Sequence, residues 1–177
     1  MMKRITLPLD EKEIRKLKVG EDVLLTGVVY TARDQAHQKL CDLIIRRKKP
    51  PFDLKDQVIY YCGPTPEYPG KIIGSCGPTT SSRMDKFTIT LLRNGLKGMI
   101  GKGKRSEEVI SAIKKYKAIY FLAPSGAGAY LSKFVKKKTL VVWAELGTEA
   151  VFRLEVKDFP VIVGIDTQGR DIYAKSK

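Results

Sequence analysis

Val23-Leu24-Leu25-Thr26-Gly27-Val28-Val29-Tyr30-Thr31-Ala32-Arg33-Asp34 begins with a run rich in β-branched residues and ends on a short polar loop. After it, Ala36, Leu40, Leu43 and Ile44 recur at the spacing of one helix face. The segment therefore reads as strand, loop, helix. Lys48-Lys49-Pro50-Pro51 stops that helix, because proline lacks the N–H a further turn would use and its ring clashes with the turn before it.

The same unit recurs downstream. Residues 57–62 and 71–75 predict short strands, separated by the turn residues Gly63-Pro64-Thr65-Pro66 and Pro69-Gly70. The second runs into Cys76-Gly77-Pro78-Thr79-Thr80, and from Ser81 the chain reads as helix through Met84, Phe87, Leu91 and Leu92 to a stop at Gly95. Residues 96–100 predict a strand and 101–105 a loop. Ser106-Glu107-Glu108 supplies an N-cap and an acidic first turn to a helix reaching Tyr116. Residues 118–123 predict another strand, followed by a short helix ending near Phe134. Strands over 140–144, 151–156 and 161–165 precede a turn at Thr167-Gln168-Gly169. Strands interleaved with helices indicate an α/β fold, and the hairpin-like start and finish indicate a mixed sheet.

Composition bounds the possibilities. A chain of 177 residues, 43% apolar and 29% charged, suits a single domain spanning 1–177. No stretch approaches the apolar length of a membrane span, and Lys3 and Arg4 are not followed by the apolar core of a signal peptide, so a cytoplasmic protein without membrane contact is expected. Cys41, Cys62 and Cys76 are odd in number and far apart. They form neither a disulfide framework nor a CxxC metal motif, and read as buried free thiols, with no metal held by this chain. The formal charge of +14 invites a nucleic-acid-binding module. Dense basic runs, however, are confined to 45–49 and 136–138, without the interleaved aromatics that base stacking requires, which leaves nucleic acid as the more distant alternative.

Three loops share one design, in which a strand ends, a cation follows and a helix begins: Arg33, then Arg83 just inside its helix, then Lys102 with Lys104. Free N–H groups at a helix start attract anions, and the planar fork of arginine suits a carboxylate. In Gly77-Pro78-Thr79-Thr80-Ser81-Ser82-Arg83 the hydroxyls could equally serve as caps. Gly98 to Lys104 satisfies GxxxxGK, but Arg105 stands where a P-loop needs Ser or Thr, which argues against an ATP site. Lys104 and Arg105 read as rim charges. His37 is the only histidine, and Ser125 lacks GxSxG spacing, so a serine hydrolase is rejected.

Several separated motifs together resemble the β subunit, or C-terminal domain, of class I fumarases and the related L-tartrate dehydratases. They are Thr26-Gly27, the run from Ala32 to Leu40, Tyr61-Cys62-Gly63-Pro64-Thr65-Pro66, the run from Ile73 to Asp85, Gly101-Lys102-Gly103, Gly147-Thr148-Glu149-Ala150 and Asp158-Phe159-Pro160. The resemblance implies a swivelling β/β/α domain and a hydro-lyase that moves water across a carbon–carbon double bond between carboxylates, as in fumarate hydration to malate. It implies a [4Fe-4S] cluster acting as Lewis acid, carried by a separate α subunit in an α2β2 assembly. Carried over by position, Arg33, Arg83 and Lys102 hold the substrate carboxylates and Thr79 is the base, with Thr80 as its fallback. Asp34 and His37 orient Arg33 or its loop.

Overall fold

β2 (Asp22–Thr31) organises the sheet. In the computed structural model, which describes residues 1–174, it runs parallel to β1 (Lys3–Thr6) and then β3 (Val58–Tyr60), and antiparallel to β7 (Val151–Ile165) on its other side. β4 (Gly98–Gly101) and β5 (Ile119–Leu122) extend the parallel set, and β5 pairs antiparallel with the far end of β7. The circuit β2–β3–β4–β5–β7 thus returns to β2, closing a barrel flanked by β1 and by β6 (Val135–Val142). The last three residues of the expected 1–177 domain lie outside the described residues.

Alternation along the short strands divides the core in two. Val58, Tyr60, Ile100, Ile119 and Phe121 point into the barrel, where Leu9, Ile14 and Leu17 join them from the N-terminal segment and α1 (Glu11–Ile14). Ile59, Tyr61, Met99 and Tyr120 point outward, under α2 (Asp34–Ile45), α3 (Asp85–Arg93) and α4 (Glu107–Tyr116). Ser106 caps α4 as its sequence predicts, accepting from the Val109 N–H at 3.3 Å. α5 (Gly128–Leu131) follows β5 and places Leu131 in the barrel core. Among the described residues no helix is long and apolar enough to cross a membrane.

Several expectations change. Residues 71–75 form no strand, because Thr65 takes up their backbone: its N–H donates to the Ser75 carbonyl, its carbonyl accepts from Gly74, and its hydroxyl accepts from the Ser75 N–H. β7 is one strand of 15 residues where two were expected. A register shift at Leu25 and Gly27 and a positive φ of 53° at Asp158 absorb the irregularity around Pro160 without breaking it. β6 starts at Val135, earlier than its apolar pattern suggests. Its lysines hide the strand, with Lys138 paired to Glu67 and lying over the Phe152 ring.

The largest correction concerns Arg105, expected at the rim. Its side chain is 0% exposed. Nε donates to Asp85 Oδ1 at 2.6 Å, and Nη2 to Thr88 Oγ1 at 2.8 Å and to the Tyr61 hydroxyl at 3.1 Å. Burial opposes the charge, but Tyr61 and Asp85 outweigh it and push the guanidinium pKa up. Asp85 Oδ2 also accepts from the Ser106 N–H at 2.8 Å, so one carboxylate serves both the cation and the start of α4. Lys104 is exposed, as a rim charge should be. Removing one member of a buried pair strands the other, so Asp85→Ala should lower the unfolding free energy by about 3–5 kcal/mol. Urea titration followed by circular dichroism measures this.

Candidate functional site

β2, β3 and β4 are parallel neighbours, so the loops leaving their C-terminal ends emerge side by side on one rim. Open α/β sheets bind ligands at this end, where loops and helix starts converge. Arg33 is the N-cap residue of α2, without a side-chain cap bond of its own. Its side chain lies against Gly63: a Cβ there would stand 3.0 Å from Arg33 Cδ, 3.2 Å from its Nη1 and 3.1 Å from the Thr148 carbonyl oxygen. A larger residue would press on the Arg33 side chain. Arg33 Nε is buried and has no hydrogen-bond partner among the described residues.

His37 holds the backbone beneath it. The Arg33 carbonyl accepts from the His37 N–H at 3.0 Å and lies 2.8 Å from Nδ1, which must carry a proton to donate there. The ring is fully buried between Tyr61 and Phe87. Burial, with help from the Arg105 charge, pushes its pKa down to about 4. His37 is therefore neutral near pH 7, in keeping with an orienting role.

Asp34 orients Arg83 rather than Arg33. Arg83 Nε donates to Oδ1 at 3.1 Å and Nη2 to Oδ2 at 2.7 Å. This side-on pairing uses Nε and Nη2, not Nη1, and links the start of α2 to the 3-10 turn Ser81–Met84. The pair is half-exposed, so its value is directional more than energetic.

The third cation reaches the same rim through the backbone. Thr80 and Lys102 form a parallel bridge, and the Ser81 N–H donates to the Lys102 carbonyl at 2.9 Å. The Thr79 N–H donates to the Tyr61 carbonyl at 2.6 Å, which ties its loop to the end of β3. The loops cross closely because residue 101 is glycine: a Cβ there would fall 1.9 Å from Ser81 Oγ and 2.7 Å from the Tyr61 ring. Arg33, Asp34, Thr79, Thr80, Arg83 and Lys102 thus belong to one connected set of loops. Clefts of about 830 Å³ beside Arg47 and Phe52, and of about 800 Å³ beside Met2 and Leu17, lie elsewhere.

Three supports of the rim stand within the motifs of the resemblance, which gives them no role. Gly63 seats Arg33 and the Thr148 carbonyl closes over it; Gln35 Nε2 donates to Glu149 Oε2 at 3.0 Å, pinning the first turn of α2. The Gly147-Thr148-Glu149 run was visible as part of the resemblance, but its partner on α2 is 114 positions away.

The cysteines do not suit an iron–sulfur cluster. Cys62 and Cys76 sit in the barrel core and Cys41 under the helices. Burial raises all three thiols, Cys41 to about 11, Cys76 to about 12 and Cys62 well above its ordinary value, whereas iron binds the thiolate. Among the described residues no group of three or more His, Cys, Asp or Glu side chains is arranged to hold a metal ion.

Comparison with known proteins points one way. The family model described as "Fumarase C-terminus" matches residues 1–176. A Methanocaldococcus jannaschii protein provisionally named L(+)-tartrate dehydratase subunit beta is 39% identical over 93% of this chain and 88% of its own length. The Escherichia coli L(+)-tartrate dehydratase subunit beta is 34% identical over 100% of this chain and 89% of its own. The E. coli protein named fumarate hydratase class I, anaerobic, is 37% identical over 91% of this chain, which spans only 30% of that longer protein.

Two outcomes follow from the geometry. Gly101→Ala should drive the Thr80 and Lys102 loops apart and lower stability by about 1–3 kcal/mol, the usual effect of overpacking, read by urea unfolding. His37 has a folded pKa below its unfolded one, so its contribution is complete above the ordinary histidine value of 6.5 and is lost as pH falls towards about 4. Between pH 7 and 4 the native chain should lose about 3 kcal/mol more stability than His37→Gln, measured by guanidinium titration at each pH.

Proposed function

This chain belongs to the fumarase C-terminus family, and from that membership we propose that it is the β subunit of an iron–sulfur hydro-lyase, hydrating fumarate reversibly to malate with a separate α subunit. The single observation that supports this most is the meeting of Arg33, Arg83 and Lys102 on loops that share one rim and touch through Asp34 and Thr80. A substrate with two carboxylates calls for more than one cation, and guanidinium groups bind a carboxylate directionally.

In this reading Arg33 and Arg83 grip the carboxylates through N–H groups without a partner among the described residues, while Lys102 adds a point charge. Thr79 Oγ1 exchanges the proton on the substrate carbon. A hydroxyl is a weak base near neutral pH, so the surrounding cations must stabilise its deprotonated form. The three free thiols here are buried, which supports a [4Fe-4S] cluster carried by the α subunit. We take the complex to be an α2β2 assembly in the cytoplasm, with residues 1–177 as one domain.

L-tartrate dehydration is the second reading, and one observation favours it. The tartrate dehydratase β subunits are similar to this chain over nearly their whole lengths, whereas the fumarate hydratases carry the similarity within a much longer chain.

Co-expression with a cluster-bearing α subunit and assay of both fumarate hydration and L-tartrate dehydration tests the proposal. Turnover of one identifies the substrate; turnover of neither rejects the hydro-lyase reading. In the active complex Arg83→Ala should lower kcat/KM by about 10- to 100-fold, the effect of losing charge-assisted hydrogen bonds. Thr79→Ala should lower kcat by about 10²- to 10⁴-fold with little change in KM, as loss of a general base does.

A further inference from the structure

Beneath the cationic rim lies a fourth cation with no access to solvent. Arg105 is stacked over two tyrosine rings, with its Cζ 5.2 Å from the centre of Tyr61 and 4.8 Å from that of Tyr120. Each tyrosine leads to one or both of the loops above. Tyr61 accepts from Arg105 through its hydroxyl at 3.1 Å and from the Thr79 N–H through its own carbonyl at 2.6 Å. The Tyr120 hydroxyl lies 2.7 Å from Ser81 Oγ and 2.9 Å from the Gly103 carbonyl oxygen. A carbonyl can only accept, so the single Tyr120 proton serves Gly103, and Ser81 donates to the Tyr120 oxygen. That hydroxyl therefore fastens the neighbour of Thr80 to the neighbour of Lys102.

We propose that Arg105 is a positioning residue which, through Tyr61 and Tyr120, holds the Thr79–Arg83 loop and the Lys102 loop at the separation a dicarboxylate requires. The inference rests on the reading of these loops as the substrate-binding surface. Stability alone does not account for the arrangement. A buried ion pair is commonly no more stabilising than apolar residues of the same volume, because desolvating both charges offsets their attraction. What a guanidinium supplies and a leucine cannot is direction. Its donors set the angles of Asp85, Thr88 and Tyr61 at once, and it lies over both tyrosine rings. The fixed ends of this network are the residues beside Thr80 and Lys102, and its charge lies behind the surface where an anion would sit.

The test uses Tyr120→Phe, which removes one oxygen and keeps the ring, and Arg105→Lys, which keeps the charge and loses the fork. In the reconstituted complex Tyr120→Phe should raise KM for the dicarboxylate about tenfold with kcat within about twofold, and lower the unfolding temperature by only about 2–8 °C, since the hydrogen bonds to Ser81 and Gly103 are lost while the ring stays in place. Arg105→Lys should raise KM in the same direction. An unchanged KM in folded Tyr120→Phe overturns the proposal. A second readout does not depend on turnover: in amide NMR spectra of the full chain, Tyr120→Phe should shift the signals of residues 79–83 and 101–104 together. Movement of one loop alone also overturns it. If the wild-type complex turns over neither substrate, the functional reading fails while the amide shifts still judge the coupling.

Discussion

Everything at the candidate site depends on β7 pairing with two strands at once. By bonding to β2 along most of its length and to β5 at its end, β7 closes the sheet into a barrel. An open sheet could twist its parallel strands apart; a closed one holds neighbours at about the 4.8 Å spacing of the hydrogen-bond ladder. The ends of β2, β3 and β4 are consequently held shoulder to shoulder, and the loops after them have no choice but to meet. A 15-residue strand containing proline serves as the closure because of the register shift opposite it. That shift lets the strand bend around the barrel while keeping most of its ladder.

Bringing several cations to one rim raises an electrostatic difficulty, which the chain meets in two different ways. At the surface, Asp34 takes one edge of Arg83 and leaves the other open. In the interior, Asp85 neutralises Arg105 while Tyr61 and Tyr120 surround it. The surface pair is screened by water and acts chiefly as a guide for direction. The interior pair has no such screening, and breaking it leaves an uncompensated charge. The two arginines thus differ in kind although both lie in polar loops of similar composition. His37 completes the support: held neutral by burial, it can secure the Arg33 carbonyl without adding a further positive charge.

Where the sequence misled, the cause was long-range pairing. Arg105 follows Gly101-Lys102-Gly103-Lys104 and has no local feature to separate it from Lys104. Only the arrival of Asp85, Tyr61 and Tyr120 from three other elements makes its burial tolerable. Residues 71–75 have the composition of a strand, yet Thr65, distant by a loop, occupies the backbone groups a ladder would need. β1 and α1 are too short for periodicity to appear at all.

The sequence by itself determined the strand–loop–helix repeat, the mixed α/β class, the buried state of the three cysteines and the cationic loops, because those follow from local spacing, proline and glycine placement, and side-chain type. The tertiary structure alone decided that the cations share a rim, that Asp34 turns to Arg83, that Gly63 and Gly101 are there for close approach, and that Arg105 lies beneath. These are contacts between residues far apart in the chain. Their energies depend on which backbone arrives opposite, and no local pattern carries that information.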